Sequence, residues 1–182
     1  MKIRPGRCVR NLNSQAYARY SVKKPKKNYI RALPRTSLLI FNMGADKPEF
    51  DLTMRLVSRQ DVQLRSNALE AARQSANKFL EREAPESYYF RVVPYPHNVI
   101  REKKFATGAG ADRISQGMTL AFGKPTAVAA RVSEGQTVME LRVASGNKVI
   151  AREAMRRAST KLSGTYSISM EIRKAQEAAV QA

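Results

Sequence analysis

The chain holds one cysteine and one histidine, and no acidic residue among its first 45 positions. Each shortage excludes something. Cys8 alone cannot form an intrachain disulfide, nor can it supply a cysteine-rich zinc site, so a reducing cytoplasm fits. His97, flanked by Pro96 and Asn98, reads as a structural or contact residue rather than a general base. A dyad of His97 with Cys8 would need an activated thiol, yet Cys8 stands in a basic segment with no hydrophobic period. Long apolar runs are also missing. The longest aliphatic or aromatic run is Leu38-Leu39-Ile40-Phe41, far short of the roughly 20 residues that span a bilayer. Met1-Lys2-Ile3-Arg4-Pro5 contains no apolar core, so no secretory signal is expected.

Acid is scarce overall: 15 Asp and Glu face 33 Lys and Arg, a formal charge of +18. A field of that sign attracts polyanions, with nucleic acid the first candidate and an anionic membrane the second. The membrane reading requires a basic amphipathic helix with bulky apolar anchors, and residues 147–162 match that poorly. A hydrophobic fraction of 43% is enough for a real core.

The charge is unevenly placed. Residues 1–45 carry eleven basic side chains and no carboxylate, residues 46–98 carry eight of each sign, and residues 99–182 carry fourteen basic against seven acidic. The neutral middle reads as folded core. The N-terminal segment mixes charge with Pro and Gly, as in Arg4-Pro5-Gly6-Arg7 and Lys23-Lys24-Pro25-Lys26-Lys27, and such segments commonly order on a polyanion. Tyr17, Tyr20 and Tyr29 interleave with it, suited either to stacking on bases or to packing on the domain.

Periodicity supplies the elements. Thr36 to Met43 reads as a strand ended by Gly44. Phe50, Leu52, Met54 and Leu56 alternate with polar residues, which predicts a strand with one buried face. Asn67 to about Glu83 predicts a helix, with Leu69, Ala72, Ala76, Phe79 and Leu80 on one stripe, an Asn67/Glu70 capping box and a stop at Pro85. Strands follow over Tyr88–Val93, Thr126–Val132 and Thr137–Val143. A second helix spans Asn147–Leu162 with Gly164 just past its end, and a last strand alternates from Tyr166 to Ile172. Two helices among several strands, not in strict alternation, predict an α+β fold. The expected organisation is a basic arm over 1–35, a single two-layer domain over 36–176 with two main helices on a mixed or antiparallel sheet, and a tail over 177–182. Arg101 to Gln116 has neither period, and a long loop there is expected to be functional.

Catalytic motifs fail on inspection. Gly108-Ala109-Gly110-Ala111-Asp112-Arg113 starts like a dinucleotide fingerprint, but Arg113 stands where the third glycine belongs. Gly123-Lys124-Pro125 resembles the end of a phosphate-binding loop, but Pro125 replaces the magnesium-binding hydroxyl. The carboxylates mostly neighbour basic residues, and no metal-ligand spacing is present. No enzyme, cofactor or metal is expected.

Seven blocks carry a resemblance. They are Arg4-Pro-Gly-Arg-Cys8, Glu70-Ala-Ala-Arg73 with Ala76-Asn-Lys78, Pro96-His-Asn-Val-Ile-Arg101, Ala106-Thr-Gly-Ala-Gly-Ala-Asp-Arg113, Gln116-Gly-Met118, Ala121-Phe-Gly-Lys-Pro125 and Ala130-Arg-Val132. In this order and spacing, from Arg4 to about Ile172, the chain resembles the archaeal and eukaryotic large-subunit ribosomal protein family L-ten-e, the counterpart of bacterial L-sixteen. The resemblance implies an α/β-hammerhead type of fold and binding to large-subunit rRNA. It implies a place beside the aminoacyl (A) site near the tRNA elbow, contact with neighbouring ribosomal proteins, and a part in late subunit assembly. The family's internal loop, which points toward the peptidyl transferase centre, matches residues 101–118. Thr119 and Ala127 depart from the family pattern, replacing a usual basic residue and a usual glycine, and Lys23–Lys27 is more basic than the usual linker.

The expected rRNA contacts are Arg4, Arg7, Arg10, Arg19, Lys23, Lys24, Lys26, Lys27, Lys124, Arg131, Arg156 and Arg157. The expected loop residues facing tRNA and the peptidyl transferase centre are Arg101, Lys103, Lys104, Gly108, Gly110 and Arg113. With about 8–10 phosphates neutralised, log K should fall with log salt at a slope on the order of −6 to −9. The competing reading is an RNA chaperone or RNA-binding factor outside the ribosome.

Overall fold

A computed structural model describes residues 8, 9, 12, 23, 24, 30, 32–102, 108–114 and 123–172, with only the backbone of Asp112 and Ile114. The chain order is β1 (Asn42–Gly44), β2 (Leu52–Ser58), β3 (Val62–Arg65), α1 (Ser66–Glu83), β4 (Tyr88–Val92), β5 (Asn98–Glu102), α2 (Ala111–Ile114), β6 (Lys124–Val132), β7 (Thr137–Val143), α3 (Lys148–Ser159) and β8 (Tyr166–Ile172). The α+β expectation holds. The strands divide between two sheets rather than one, a five-stranded sheet ordered β1-β4-β7-β2-β8 and a three-stranded sheet ordered β3-β6-β5. Every pairing is antiparallel.

Both long helices form because each has one stripe of small and aliphatic residues. On α1, Leu69, Ala72, Ala76 and Leu80 are fully buried, and on α3 so are Ala151, Ala154, Met155 and Ala158. Alanines on both faces let the two helices pack on each other. Helix α1 also touches β4 of the large sheet and β3 and β6 of the small one, while α3 lies on β2, β7 and β8. One core therefore runs through the molecule, from Leu52, Met54 and Leu56 through Phe90, Met139 and Leu141 to Ala130 and Val132. A smaller cluster of Ile30, Val99 and Val128 fixes residue 30 on the small sheet.

Several expectations change. The run Thr36 to Met43 is a strand only from Asn42. Its register with β4 starts at Asn42↔Arg91, and earlier residues would pair beyond Val92, where β4 ends just before Pro94. Thr36 Oγ1 instead bonds locally to Leu38, and Leu39 and Ile40 are exposed. The capping box is absent: Asn67 lies inside α1, the N-cap is Arg65 with no side-chain cap, and the Glu70 carboxylate binds Arg73 and Gln74. Helix α3 ends at Ser159 with Thr160 as its cap, so the positive φ of Gly164 belongs to the turn entering β8. Strands β3 and β5 are additions. Arg101 and Glu102 lie in β5, so the aperiodic stretch begins after them.

Candidate nucleic-acid interface

Seven carboxylates among the described residues are ion-paired with arginines of the same chain. Glu70 pairs with Arg73 at 2.6 Å, Glu102 with Arg65 at 3.5 Å, Glu83 with Arg82 at 2.8 Å, and Glu140 with Arg142 at 3.1 Å. Asp46 also binds Arg142, and Glu171 binds Arg55. The Arg73 guanidinium holds the Glu70 carboxyl below the usual carboxylate range. Two of these pairs, Glu70–Arg73 and Glu83–Arg82, lie wholly in the charge-neutral middle of the sequence, and three more join it to later residues. Exposed cations remain on the outside, among them Lys23, Arg35, Lys47, Arg59, Lys78, Arg91, Arg113, Lys124, Lys148, Arg152 and Lys161.

The small sheet organises the loop. Strands β5 and β6 are antiparallel neighbours, and their last paired rung is Glu102↔Lys124. The chain thus leaves the sheet after Glu102 and re-enters it at Lys124, on one rung. The rung is anchored: the Arg65–Glu102 pair ties β5 to the start of α1, and Thr126 Oγ1 donates to the Ile100 carbonyl at 3.2 Å. Arg101 is half-buried beside it, and Lys124 is exposed. Within the loop, Gly108 and Gly110 have φ of 133° and 75°, values that a side chain disfavours. Their turn donates Ala111 N–H to Gly108 and Arg113 N–H to Gly110, forming the single turn α2 that carries an exposed Arg113. Lys103 and Lys104 lie outside the described residues.

The N-terminal segment meets the same sheet. Gln63 of β3 donates its N–H to the Cys8 carbonyl at 2.7 Å. Arg131, paired with Gln63 across β3 and β6, donates Nη1 to the Leu12 carbonyl at 3.2 Å. Gln63 also accepts a hydrogen bond from the Asn98 amide of β5, so the buried Gln63 and Asn98 and the half-buried Arg131 link all three strands to Cys8 and Leu12. Arg131 has a partner inside the protein as well as its expected role toward RNA. Lys23 and Lys24 are exposed. Arg4, Arg7, Arg10, Arg19, Lys26 and Lys27 lie outside the described residues.

Arg156 and Arg157 sit on α3 and share one carboxylate. Glu153 accepts from Arg156 at 2.8 and 2.9 Å and from Arg157 at 2.9 Å. The hydrogen bond from Arg156, then that from Arg157, pulls the Glu153 carboxyl down to about 2. The Arg157 guanidinium lies 3.9 Å from the centre of the Phe79 ring, a cation–π contact that fixes its direction. The sharing was legible as i+3 and i+4 spacing from Glu153. Arg59, which sequence reading does not single out, is exposed at the end of β2, and no local pattern marks it.

Among the described residues, no group of three or more His, Cys, Asp or Glu could hold a metal ion, and no helix is long and apolar enough to cross a membrane. Comparison with known proteins is decisive. The family model for ribosomal protein L16p/L10e matches residues 17–169. The chain belongs to this family. A large ribosomal subunit protein uL16 from Methanococcus maripaludis (strain C7) is 41% identical over 163 residues, covering 89% of this chain and 90% of that protein. The Thermofilum pendens uL16 is 42% identical over 163 residues, covering 89% and 93%. The Methanocella arvoryzae uL16 is 42% identical over 172 residues, covering 94% and 96%. The family is that of the sequence resemblance, and its membership makes this chain a ribosomal protein rather than an enzyme.

Proposed function

We propose that the chain is a structural constituent of the large ribosomal subunit. It binds large-subunit rRNA through its arm and outer cations, and it helps to position A-site tRNA through the loop between β5 and β6. Family membership over residues 17–169 is the observation that carries this reading. The charge layout supports it. The ion-paired carboxylates each hold an arginine, and Lys23, Lys124 and Arg113 stand exposed for phosphate oxygens. Counterion release on phosphate neutralisation then supplies much of the affinity.

The tRNA role is one of position. The loop springs from a rung fixed by the Arg65–Glu102 pair, so its base is rigid. A rigid base lets Arg101, Lys103, Lys104 and Arg113 meet RNA in a defined place, with Gly108 and Gly110 allowing close backbone approach. Neighbouring ribosomal proteins and late subunit assembly complete the proposed setting. The test replaces Lys103, Lys104 and Arg113 with alanine and follows subunit maturation and A-site tRNA accommodation. Slower maturation or accommodation is expected, and wild-type subunit profiles with wild-type decoding rates would sink the loop reading.

A further inference from the structure

Helix α3 and the edge strand β8 enclose an open cleft of about 450 Å³, a volume in the range of small-ligand sites. Three arginines line it: Arg59 from the end of β2, and Arg152 and Arg156 from α3. Arg152 and Arg156 are four residues apart, so they stand one helical turn above each other. The apolar part of the lining is a strip of Ile168 and Met170, with the buried Leu56 beneath them. Among the described residues, no carboxylate lines the cleft. The nearest ones are engaged, Glu153 with Arg156 and Arg157, and Glu171 with Arg55.

The cleft is held in shape. Arg59 donates its N–H to the Thr165 carbonyl at 3.0 Å, and the Ser58 carbonyl accepts from Gly135 at 2.9 Å. The Tyr166 hydroxyl, another lining group, donates to the Ser163 carbonyl at 2.6 Å, and burial pushes its pKa up, so it stays protonated. Gly164, at φ 104°, closes the turn between α3 and β8, where an added Cβ would lie 2.9 Å from the Gln60 amide nitrogen. The guanidiniums therefore face a preformed concave surface.

We infer that this cleft seats one unpaired nucleotide of an RNA strand. Arg59 and Arg152 take its phosphate, Arg156 being already held by Glu153, and its base or sugar lies on the apolar strip. The inference rests on the rRNA-binding reading and adds an address to it. Fork-shaped guanidiniums suit phosphate oxygens, and an apolar surface beside them suits an unstacked base. A lipid surface fits less well, because the strip exposes only one bulky side chain strongly, Met170 at 45%.

The test uses the full chain and two probes: in vitro transcribed large-subunit rRNA of an archaeal relative, and a mixed-sequence single-stranded RNA oligonucleotide. Binding is measured at several salt concentrations for Arg59→Ala/Arg152→Ala, for Met170→Glu, and for a charge-matched control, Lys47→Ala/Arg91→Ala. All five positions are exposed, and thermal melts check that each variant folds. The expected result is a loss of affinity of roughly 10-fold or more for the cleft pair, with a salt slope lower by about 1–2. The control pair should lose less than the cleft pair. Met170→Glu, which sets a negative charge on the strip that takes the base, should weaken binding while leaving the arginines intact. Ultraviolet cross-links to the rRNA should map within residues 163–172. Equal losses in the cleft and control pairs, with no cross-link there, overturn the cleft while the general rRNA reading stands. Failure of the wild-type chain to bind either probe overturns both.

Discussion

Replacing Arg131 with alanine separates two roles for one side chain. Arg131 lies on β6 opposite Gln63, and its Nη1 donates to the Leu12 carbonyl. The next rung of the same tether is the Gln63 N–H to Cys8 carbonyl bond, and Cys8 packs against the main core. A hydrogen bond to a charged group contributes about 1.5–3 kcal/mol, and a half-buried site sets the lower end. Loss of about 1.5 kcal/mol raises the detached population of this segment about tenfold. The β3–β6 ladder uses backbone groups and survives the substitution. Hydrogen exchange at the Gln63 amide, read by NMR, should therefore quicken about tenfold while core amides keep their protection. Under this clamp role, the salt dependence of RNA binding changes little. If Arg131 instead spends its charge on a phosphate, exchange at Gln63 stays as in the wild type and the salt slope falls by about 0.7–0.9. That outcome would refute the clamp.

Three further outcomes follow from the same structure. Leu80 is fully buried on α1, so Leu80→Ala should cost about 2–5 kcal/mol, read as a lower urea midpoint at unchanged m-value. Glu70 and Glu153 have folded-state pKa values below their unfolded ones. Both contributions are present above about 4.5 and are lost as pH falls below it, that of Glu153 as pH approaches about 2, so melting temperature should drop on acidification, and less steeply in Glu153→Gln. Among the described residues, no neighbouring atom lies within 4 Å of a Cβ built on Gly110, whose φ is 75°. Gly110→Ala should thus strain only the turn, by about 1–2 kcal/mol, speeding exchange at the Arg113 amide without lowering the global melting temperature.

The long elements were legible because their signals run over many residues. The stripe from Leu69 to Leu80 repeats at helical spacing, β8 alternates over seven residues, and β2 and β7 alternate over the five residues Leu52–Leu56 and Met139–Val143. The missed strands are short and lack contrast. All four residues of β3 are buried, including Gln63 and Arg65, so no alternation marks them. Strand β5 opens right after Pro94 and Pro96 and continues into Arg101 and Glu102, whose charge resembles a loop. Both belong to the small sheet, whose existence depends on pairing partners far along the chain. Of the interface, the partition of charge was visible because it is additive along the sequence. The Arg131–Leu12 contact and the Arg59 wall of the cleft were not, because each joins residues about a hundred positions apart.

The central claim is that this chain works as a constituent of the large ribosomal subunit, and sedimentation tests it most directly. A tagged full-length chain, expressed in an archaeal host, is followed through a sucrose gradient at moderate salt. The account predicts that the tag travels with the large-subunit and whole-ribosome peaks and remains there after re-sedimentation. Recovery at the top of the gradient, or in a membrane fraction, would contradict it.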